Sequence, residues 1–95
     1  MTYFMTTQGN GDEETFRKVN EKVLPHADGL IAIYAGPSGD GMAIHTLWET
    51  KAHSDRFTAE VLLPALAEAL GAMPDGPPSV MIECETFYDH VRVPA

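Results

Sequence analysis

Residues 29–71 read GLIAIYAGPSGDGMAIHTLWETKAHSDRFTAEVLLPALAEALG, and this stretch decides the fold. Residues 30–35 are a short apolar run that ends before a Gly-Pro pair, which is typical of a strand covered on both faces. Residues 37–41 supply turn residues, and residues 42–49 return as a second strand beside the first. The stretch therefore predicts a β-hairpin that leads directly into a helix.

The second strand of this hairpin carries apolar side chains on both of its faces. Alternation divides it into two sets, Met42, Ile44, Thr46 and Trp48 on one face and Ala43, His45, Leu47 and Glu49 on the other. Because both sets contain large apolar groups, we expect both faces of the sheet to be covered.

The helix that follows has a cap, an apolar face and one irregularity. Thr50 is predicted to cap its start, and Gly71 to stop it. Its apolar face consists of Phe57, Val61, Leu66, Ala69 and Leu70. Pro64 cannot donate a hydrogen bond to the carbonyl of Glu60, so we expect a kink or break near residues 61–63.

The flanking segments add a strand and a helix before the hairpin and a strand after the second helix. Residues 2–7 (TYFMTT) are rich in β-branched and aromatic types and predict a first strand. Asp12 is predicted to cap a helix that ends at Pro25 and whose apolar positions are Phe16, Val19, Val23 and Leu24. Residues 79–88 alternate as a final strand, and residues 89–95 either extend it or dock on a neighbouring element.

The resulting order, β-α-β-β-α-β, belongs to the ferredoxin-like α+β class. It predicts a four-stranded antiparallel sheet with two helices on one face, formed by residues 1–95 as a single domain. The other face, which holds Leu47, would leave an apolar patch in water. We therefore predict a homodimer in which the open sheet faces of two copies pack together.

The composition limits the classes of protein to which this chain can belong. Fourteen acidic and six scattered basic residues give a formal net charge of −8, so a nucleic-acid partner is not predicted. No apolar run approaches the ~18 residues of a membrane span, and no secretory signal is visible, so we expect a cytoplasmic protein. Cys84 is the single cysteine and is expected to be a small buried hydrophobe.

Residues 29–71 resemble the dimeric α+β barrel superfamily, and within it the small proteins grouped with antibiotic-biosynthesis monooxygenases. The matching features are the AGP-turn-G hairpin, the strand end Trp48-Glu49-Thr50, Phe57, and the run LPAL at residues 63–66. The resemblance covers about half of the chain closely and the rest in layout. It implies a pocket between the sheet and its helices. In active members this pocket holds an aromatic polyketide or quinol-like substrate that molecular oxygen oxidises without metal or flavin.

Four residues are candidates to line such a pocket: Trp48, Thr46, Tyr34 and His53. Trp48 offers a flat wall with one N–H donor, or it simply fills the core beneath the second helix. Tyr34, like Tyr3, could donate a phenolic proton to a substrate oxygen, or could keep its hydroxyl in water at a strand end. His53 lies four residues before Phe57 on one helix face and is the candidate base; the alternative is a partly exposed histidine at a helix start.

Several other chemistries lack their signatures. The histidines, His26, His45, His53 and His90, show no compact ligand spacing, so no metal is expected. Haem-degrading members of the superfamily carry an axial histidine well along the second helix, where this sequence has LAEA at residues 66–69, so haem is not expected. Neither a dinucleotide fingerprint nor a nucleophile elbow is present. We therefore expect no cofactor.

Two functions remain open at this point. The first is a cofactor-independent monooxygenase that acts on an aromatic or polyketide-like molecule, with the four candidate residues lining its pocket. The second is a non-catalytic ligand-binding or structural dimeric barrel. A chamber of a few hundred Å³ faced by Trp48 and at least two polar groups would favour ligand chemistry, whereas a filled interior would favour the structural alternative.

Overall fold

The computed structural model describes residues 2–9, 12–39, 41–71, 79–88 and 90. The strands are β1 (Tyr3–Gly9), β2 (Leu30–Ser38), β3 (Gly41–Trp48) and β4 (Ser79–Glu85). They form a four-stranded antiparallel sheet in the order β2-β3-β1-β4. The predicted ferredoxin-like α+β arrangement is therefore confirmed.

The helical elements follow β1 and β3. Helix α1 is Glu13–Val23, and a 3₁₀ turn, Leu24–His26, completes its end. Three helical segments then follow one another without a break: α2 (Lys51–Phe57), a π-helical segment (Thr58–Leu62) and α3 (Leu63–Leu70). Helix α1 lies against α3. In the described part of the chain, no helix has the length and apolar character that crossing a membrane requires.

The predicted helix caps are present. The side chain of Asp12 accepts a hydrogen bond from the Thr15 N–H at 2.7 Å, and these contacts with Thr15 hold the pKa of Asp12 below its usual value. The Thr50 hydroxyl accepts from the His53 N–H at 3.2 Å. Gly71 ends α3 with a φ of 75°, a left-handed conformation that favours glycine.

The irregularity predicted near residues 61–63 takes the form of the π-helical segment. The N–H of Leu63 donates to the carbonyl of Thr58, five residues back, instead of the usual four. Pro64 then lies in the first turn of α3, where a missing N–H is tolerated best.

The strand registers divide the sheet into two faces. Tyr3 lies opposite Trp48 and Met5 opposite Thr46, so these four side chains share one face. The ring centroids of Trp48 and Phe57 are 5.1 Å apart, which shows that this is the face that the helices cover. We call the face defined by Tyr3, Met5, Thr46 and Trp48 the helix-side face.

The opposite face carries no helix among the described elements, and we call it the open face. It consists of Phe4, Thr6, Tyr34, His45, Leu47, Ile82 and Cys84. At its centre the Thr6 hydroxyl and the His45 Nδ1 are hydrogen-bonded at 2.9 Å. We expected both faces of the sheet to be covered. Among the described elements, the helices cover the helix-side face, and no element covers the open face. The prediction that Cys84 is buried is wrong: its side chain is exposed, because it lies on this open face.

The largest differences from the predicted strand boundaries are at the ends of β2 and β4. Strand β2 continues through Pro37 and Ser38 instead of turning at residue 37. A proline is tolerated there because β2 is an edge strand. Strand β4 ends at Glu85 rather than at residue 88. Most of the tail predicted at residues 89–95 lies outside the described residues.

Candidate functional site

Trp48 is both a packed core residue and an unsatisfied hydrogen-bond donor. Its side chain is 2% exposed, and its ring is tilted by 46° against that of Phe57. Its Nε1 is buried and has no hydrogen-bond partner among the described residues. A buried donor left unpaired costs about 1–3 kcal/mol, so an acceptor brought to this atom would recover that free energy. Trp48 Nε1 is therefore a buried hydrogen-bond donor without a described acceptor.

Thr46 lies two residues before Trp48 on the same face of β3. It is buried, and its hydroxyl donates to the carbonyl of Met5 on the neighbouring strand at 3.5 Å. Alternation places the two side chains side by side along the strand. The structure thus brings together two of the four predicted residues, Thr46 and Trp48.

Tyr3 and Glu83 form a second polar group on the helix-side face. The Tyr3 side chain is buried, and its phenol donates to Oε2 of Glu83 on β4 at 2.5 Å. Burial, followed by this hydrogen bond, raises the pKa of Tyr3. Its phenol therefore stays protonated throughout the neutral pH range and donates its proton to the hydrogen bond with Glu83.

Lys51, at the start of α2, covers this pair from the helix side. Its Nζ lies 5.9 Å from the centroid of the Tyr3 ring, within range of a cation–π contact. The Asp55 carboxylate holds the ammonium group, at 2.9 Å from Oδ2, and this hydrogen bond raises the pKa of Lys51. A positive charge is thereby fixed close to the Tyr3 ring.

Tyr34 does not lie with the other predicted pocket residues. It is paired with His45, which places it on the open face, and its side chain is 67% exposed. The register of β2 against β3 shifts between Leu30 and Ala32, so one residue of β2 is extra. The four predicted residues therefore do not line one chamber between the sheet and the helices.

His53 is fixed at the start of α2. Its Nδ1 and the Thr50 hydroxyl are 2.7 Å apart, and its Nε2 lies 3.9 Å from the Glu49 carboxylate. Which of the two atoms donates in the bond to Thr50 depends on the tautomer of the ring, and Nε2 faces Glu49. These contacts hold the His53 ring at the start of α2.

A surface cleft of about 240 Å³ lies beside His53. His53, Phe57 and Val61 line it from the helix, and Pro25, His26 and Asp28 line it from the connection before β2. Phe57 contacts Trp48 and also forms a wall of this cleft, but Trp48 itself is not among the lining residues. Across the described ranges, no group of three or more His, Cys, Asp or Glu side chains is placed to hold a metal ion.

Replacing Gly29 by alanine tests the seating of the His53 ring. Gly29 has a φ of 84°, and a Cβ at this position would lie 2.5 Å from Cγ of His53. We expect Gly29→Ala to lower the free energy of unfolding by about 2–3 kcal/mol, through left-handed strain and overpacking. Urea unfolding followed by circular dichroism measures this effect.

The control for this substitution is a glycine-to-alanine change at a position with neither left-handed strain nor overpacking. A Cβ added at Gly9 would meet no atom within 4 Å, and Gly9 has no left-handed φ, so Gly9→Ala should leave stability nearly unchanged. In a His53→Ala background the ring contacts are gone and only the overlap with the Cβ of residue 53, at 2.8 Å, remains beside the left-handed strain of about 1–2 kcal/mol, so Gly29→Ala should cost less than in wild type. An equal cost in both backgrounds would show that the His53 ring does not rest on Gly29.

The fold defines a class of protein: small ferredoxin-like α+β domains, with an architecture similar to that of solved antibiotic-biosynthesis-monooxygenase-like structures. This confirms the fold that the resemblance implied. No protein-family model matches the sequence, and no curated protein matches it. Solved structures, in contrast, do match the fold of this chain.

Three solved structures represent this likeness. Rv0793 from Mycobacterium tuberculosis shares 10% identity at a TM-score of 0.64, over 96% of this chain and all of that one. A proposed antibiotic biosynthesis monooxygenase from Chloroflexus aurantiacus shares 10% identity at a TM-score of 0.61, over 97% of both chains. A point mutant of SnoaB, a cofactor-independent oxygenase from Streptomyces nogalater, shares 11% identity at a TM-score of 0.56, over 93% of both chains. At these identities the likeness shows a shared fold.

Glu83 is a candidate-site residue that the sequence did not single out. Alternation along the last strand puts Glu83 and Glu85 on one face, but it does not tell which face the helices cover. That is decided by the pairing of β4 with β1, which places Glu83 opposite Met5. The signal available in the sequence was the occurrence of two acidic residues at alternate positions of an otherwise apolar strand.

Proposed function

We propose that this protein is a cofactor-independent monooxygenase for an aromatic or polyketide-like small molecule held between the helix-side face and the helices. The observation that carries the proposal is the buried Nε1 of Trp48, which lacks an acceptor among the described residues. An oxygen atom of the substrate would supply that acceptor. The shared fold with SnoaB, a cofactor-independent oxygenase, supports the same proposal.

The proposed reaction needs no redox group from the protein. An anthrone that loses a proton becomes an electron-rich enolate, which reduces molecular oxygen directly. Anthrone and one O₂ then yield the anthraquinone and one water, with the ring carbon oxidised and oxygen reduced. The protein contributes an apolar wall, a proton acceptor and a donor to the developing oxyanion, and Trp48 Nε1 is the donor.

We further propose that the protein works in the cytoplasm as a homodimer joined through the open face. The open face exposes Ile82 to 60% and Tyr34 to 67%. The described side chains at its centre, Phe4, Thr6, His45 and Leu47, include no carboxylate and no lysine or arginine. Two copies with a net charge of −8 each repel least where no charged side chain is present.

A non-catalytic barrel is the second candidate. It is favoured by the contact between Trp48 and Phe57 and by the engagement of the Tyr3 phenol with Glu83, since both leave fewer groups free to act on a ligand. In this alternative the unpaired Trp48 N–H binds a ligand oxygen without turnover.

Trp48→Phe tests the proposed donor. The substitution keeps an aromatic ring and removes the N–H, so we expect kcat for oxygen uptake with anthrone to fall by about 10². An oxygen electrode measures the rate. Tyr88→Phe, which alters an exposed ring that is 78% accessible, should retain the wild-type rate.

The outcomes separate the two candidates. Trp48 is the only tryptophan of the chain, so its fluorescence reports an aromatic ligand that binds beside it. Quenching by anthrone without oxygen uptake would establish the non-catalytic candidate. A Trp48→Phe variant as fast as wild type would remove Trp48 from the mechanism.

A further inference from the structure

The Tyr3–Glu83 pair lies on the same sheet face as Trp48, whose Nε1 is the proposed donor to an oxygen atom of the substrate. Tyr3 is directly opposite Trp48 across the β1–β3 pair, and β4 places Glu83 on the other side of β1. Trp48 and Glu83 thus flank β1 on the helix-side face, two strand spacings apart and offset by two residues along the strand, which is ~12 Å between their Cα atoms. A flat molecule of fused aromatic rings can reach both groups when it lies across β1.

The hydrogen bond from Tyr3 orients the Glu83 carboxylate. The phenol occupies Oε2, and no described side chain donates to Oε1. Because burial keeps Tyr3 protonated, the phenol holds this oxygen but does not compete for a proton. The second carboxylate oxygen is thereby left as an oriented acceptor.

We propose that Glu83 is the acceptor for the acidic proton of the bound aromatic molecule and that Tyr3 is its positioning residue. This inference rests on the proposed function, because it assigns the base of the same site. The substrate's C–H or O–H bond breaks, its electron pair stays on the ring system, and the proton moves to the Glu83 carboxylate. Oxygen is the electron acceptor in the later step.

Glu83 fits this role better than His53 does. His53 is bonded to Thr50 through Nδ1 and faces Glu49 through Nε2, in a cleft that Trp48 does not line. Glu83 lies on the helix-side face with Trp48 and is exposed to solvent. It can therefore pass the proton to water after each turnover.

The test compares Glu83→Gln with Glu85→Gln. Both residues are exposed glutamates on the same face of β4, but only Glu83 accepts from Tyr3. Glu83→Gln should reduce kcat for anthrone oxidation by about 10²–10⁴, with KM and the quenching midpoint of Trp48 fluorescence within about twofold of wild type. Glu85→Gln should be within about twofold in all three measurements.

Tyr3→Phe tests the positioning role. It removes the hydrogen bond to Glu83 and keeps the ring under Lys51, so kcat should fall by about tenfold while KM stays unchanged. Tyr3→Phe should thus lose less activity than Glu83→Gln and more than Glu85→Gln. Equal losses in Glu83→Gln and Glu85→Gln would overturn the assignment.

A second measurement separates this proposal from the proposed function. Dihydroxyanthraquinone changes colour when a hydroxyl group ionises, and binding to the protein can be followed without turnover. If Glu83 lies beside that hydroxyl group, its negative charge opposes ionisation, so the bound probe should ionise at higher pH in wild type than in Glu83→Gln. If the wild-type protein does not oxidise anthrone but shows this difference in ionisation pH, the proposed oxygenase function is contradicted and the place of Glu83 beside the ligand is not. An active wild type without it contradicts Glu83 as the acceptor.

Discussion

Replacing Trp48 by alanine is expected to lower the free energy of unfolding by about 3–5 kcal/mol. The indole is 2% exposed and fills the space between β3 and Phe57, so its removal leaves a cavity as well as lost apolar burial. A loss of this size is a large share of the ~5–15 kcal/mol that stabilises a typical domain. Urea unfolding followed by far-ultraviolet circular dichroism measures it, because the variant has no tryptophan fluorescence.

Trp48→Phe is the matched control for this loss. It keeps a ring against Phe57 and removes the buried N–H that lacks a described partner, so its desolvation cost disappears. The smaller ring lowers the free energy of unfolding, whereas removal of the unpaired N–H raises it. The net loss for the variant should therefore be less than about 1.5 kcal/mol. A Trp48→Ala loss below about 1 kcal/mol would show that the indole is not part of the core.

Leu47→Glu is expected to convert the proposed homodimer into a monomer. Leu47 lies on the open face, opposite Phe4 in the register of β1 and β3. In a dimer joined through this face, two introduced carboxylates would be buried without partners, which costs several kcal/mol. Light scattering should give about twice the chain mass of 10.4 kDa for wild type and one chain mass for the variant.

The control for this prediction places the same charge elsewhere. Ala52 is exposed near the start of α2, away from the open face, and Ala52→Glu adds one negative charge to the same chain. It should leave the dimer intact. A wild-type protein that scatters as a single chain at micromolar concentration would contradict the homodimer, and a dimeric Leu47→Glu would move the interface to another surface.

Local sequence signals predicted most of the fold. Asp12, Thr50 and Gly71 are caps whose chemistry acts within a few residues, and all three bound helices as expected. The alternation of β3 was also correct, because a side-chain period of two needs no knowledge of the partner strand. Boundaries failed where tertiary position decides, as at Pro37, which an edge strand accepts and a central strand would not.

The candidate site was only partly predictable, because its geometry depends on pairing between distant segments. Trp48 and Thr46 lie on one strand, so their shared face follows from the sequence. Tyr34 was misplaced because a register shift follows Leu30, and an all-apolar strand has no alternation that would reveal it. Tyr3 and Glu83 are 80 residues apart and meet only through the pairing of β1 with β4.

The π-helical segment sets the rotational phase of the second helical stretch. The predicted apolar positions step by four residues from Phe57 to Val61 and by five from Val61 to Leu66. In a regular α-helix a step of five turns the side chain about 140° away from the preceding one. One widened turn, Thr58–Leu62, takes up one of the nine residues that separate Phe57 from Leu66. The segment therefore acts as a one-residue insertion that the helix absorbs, and comparison with an uninterrupted helix requires a gap there.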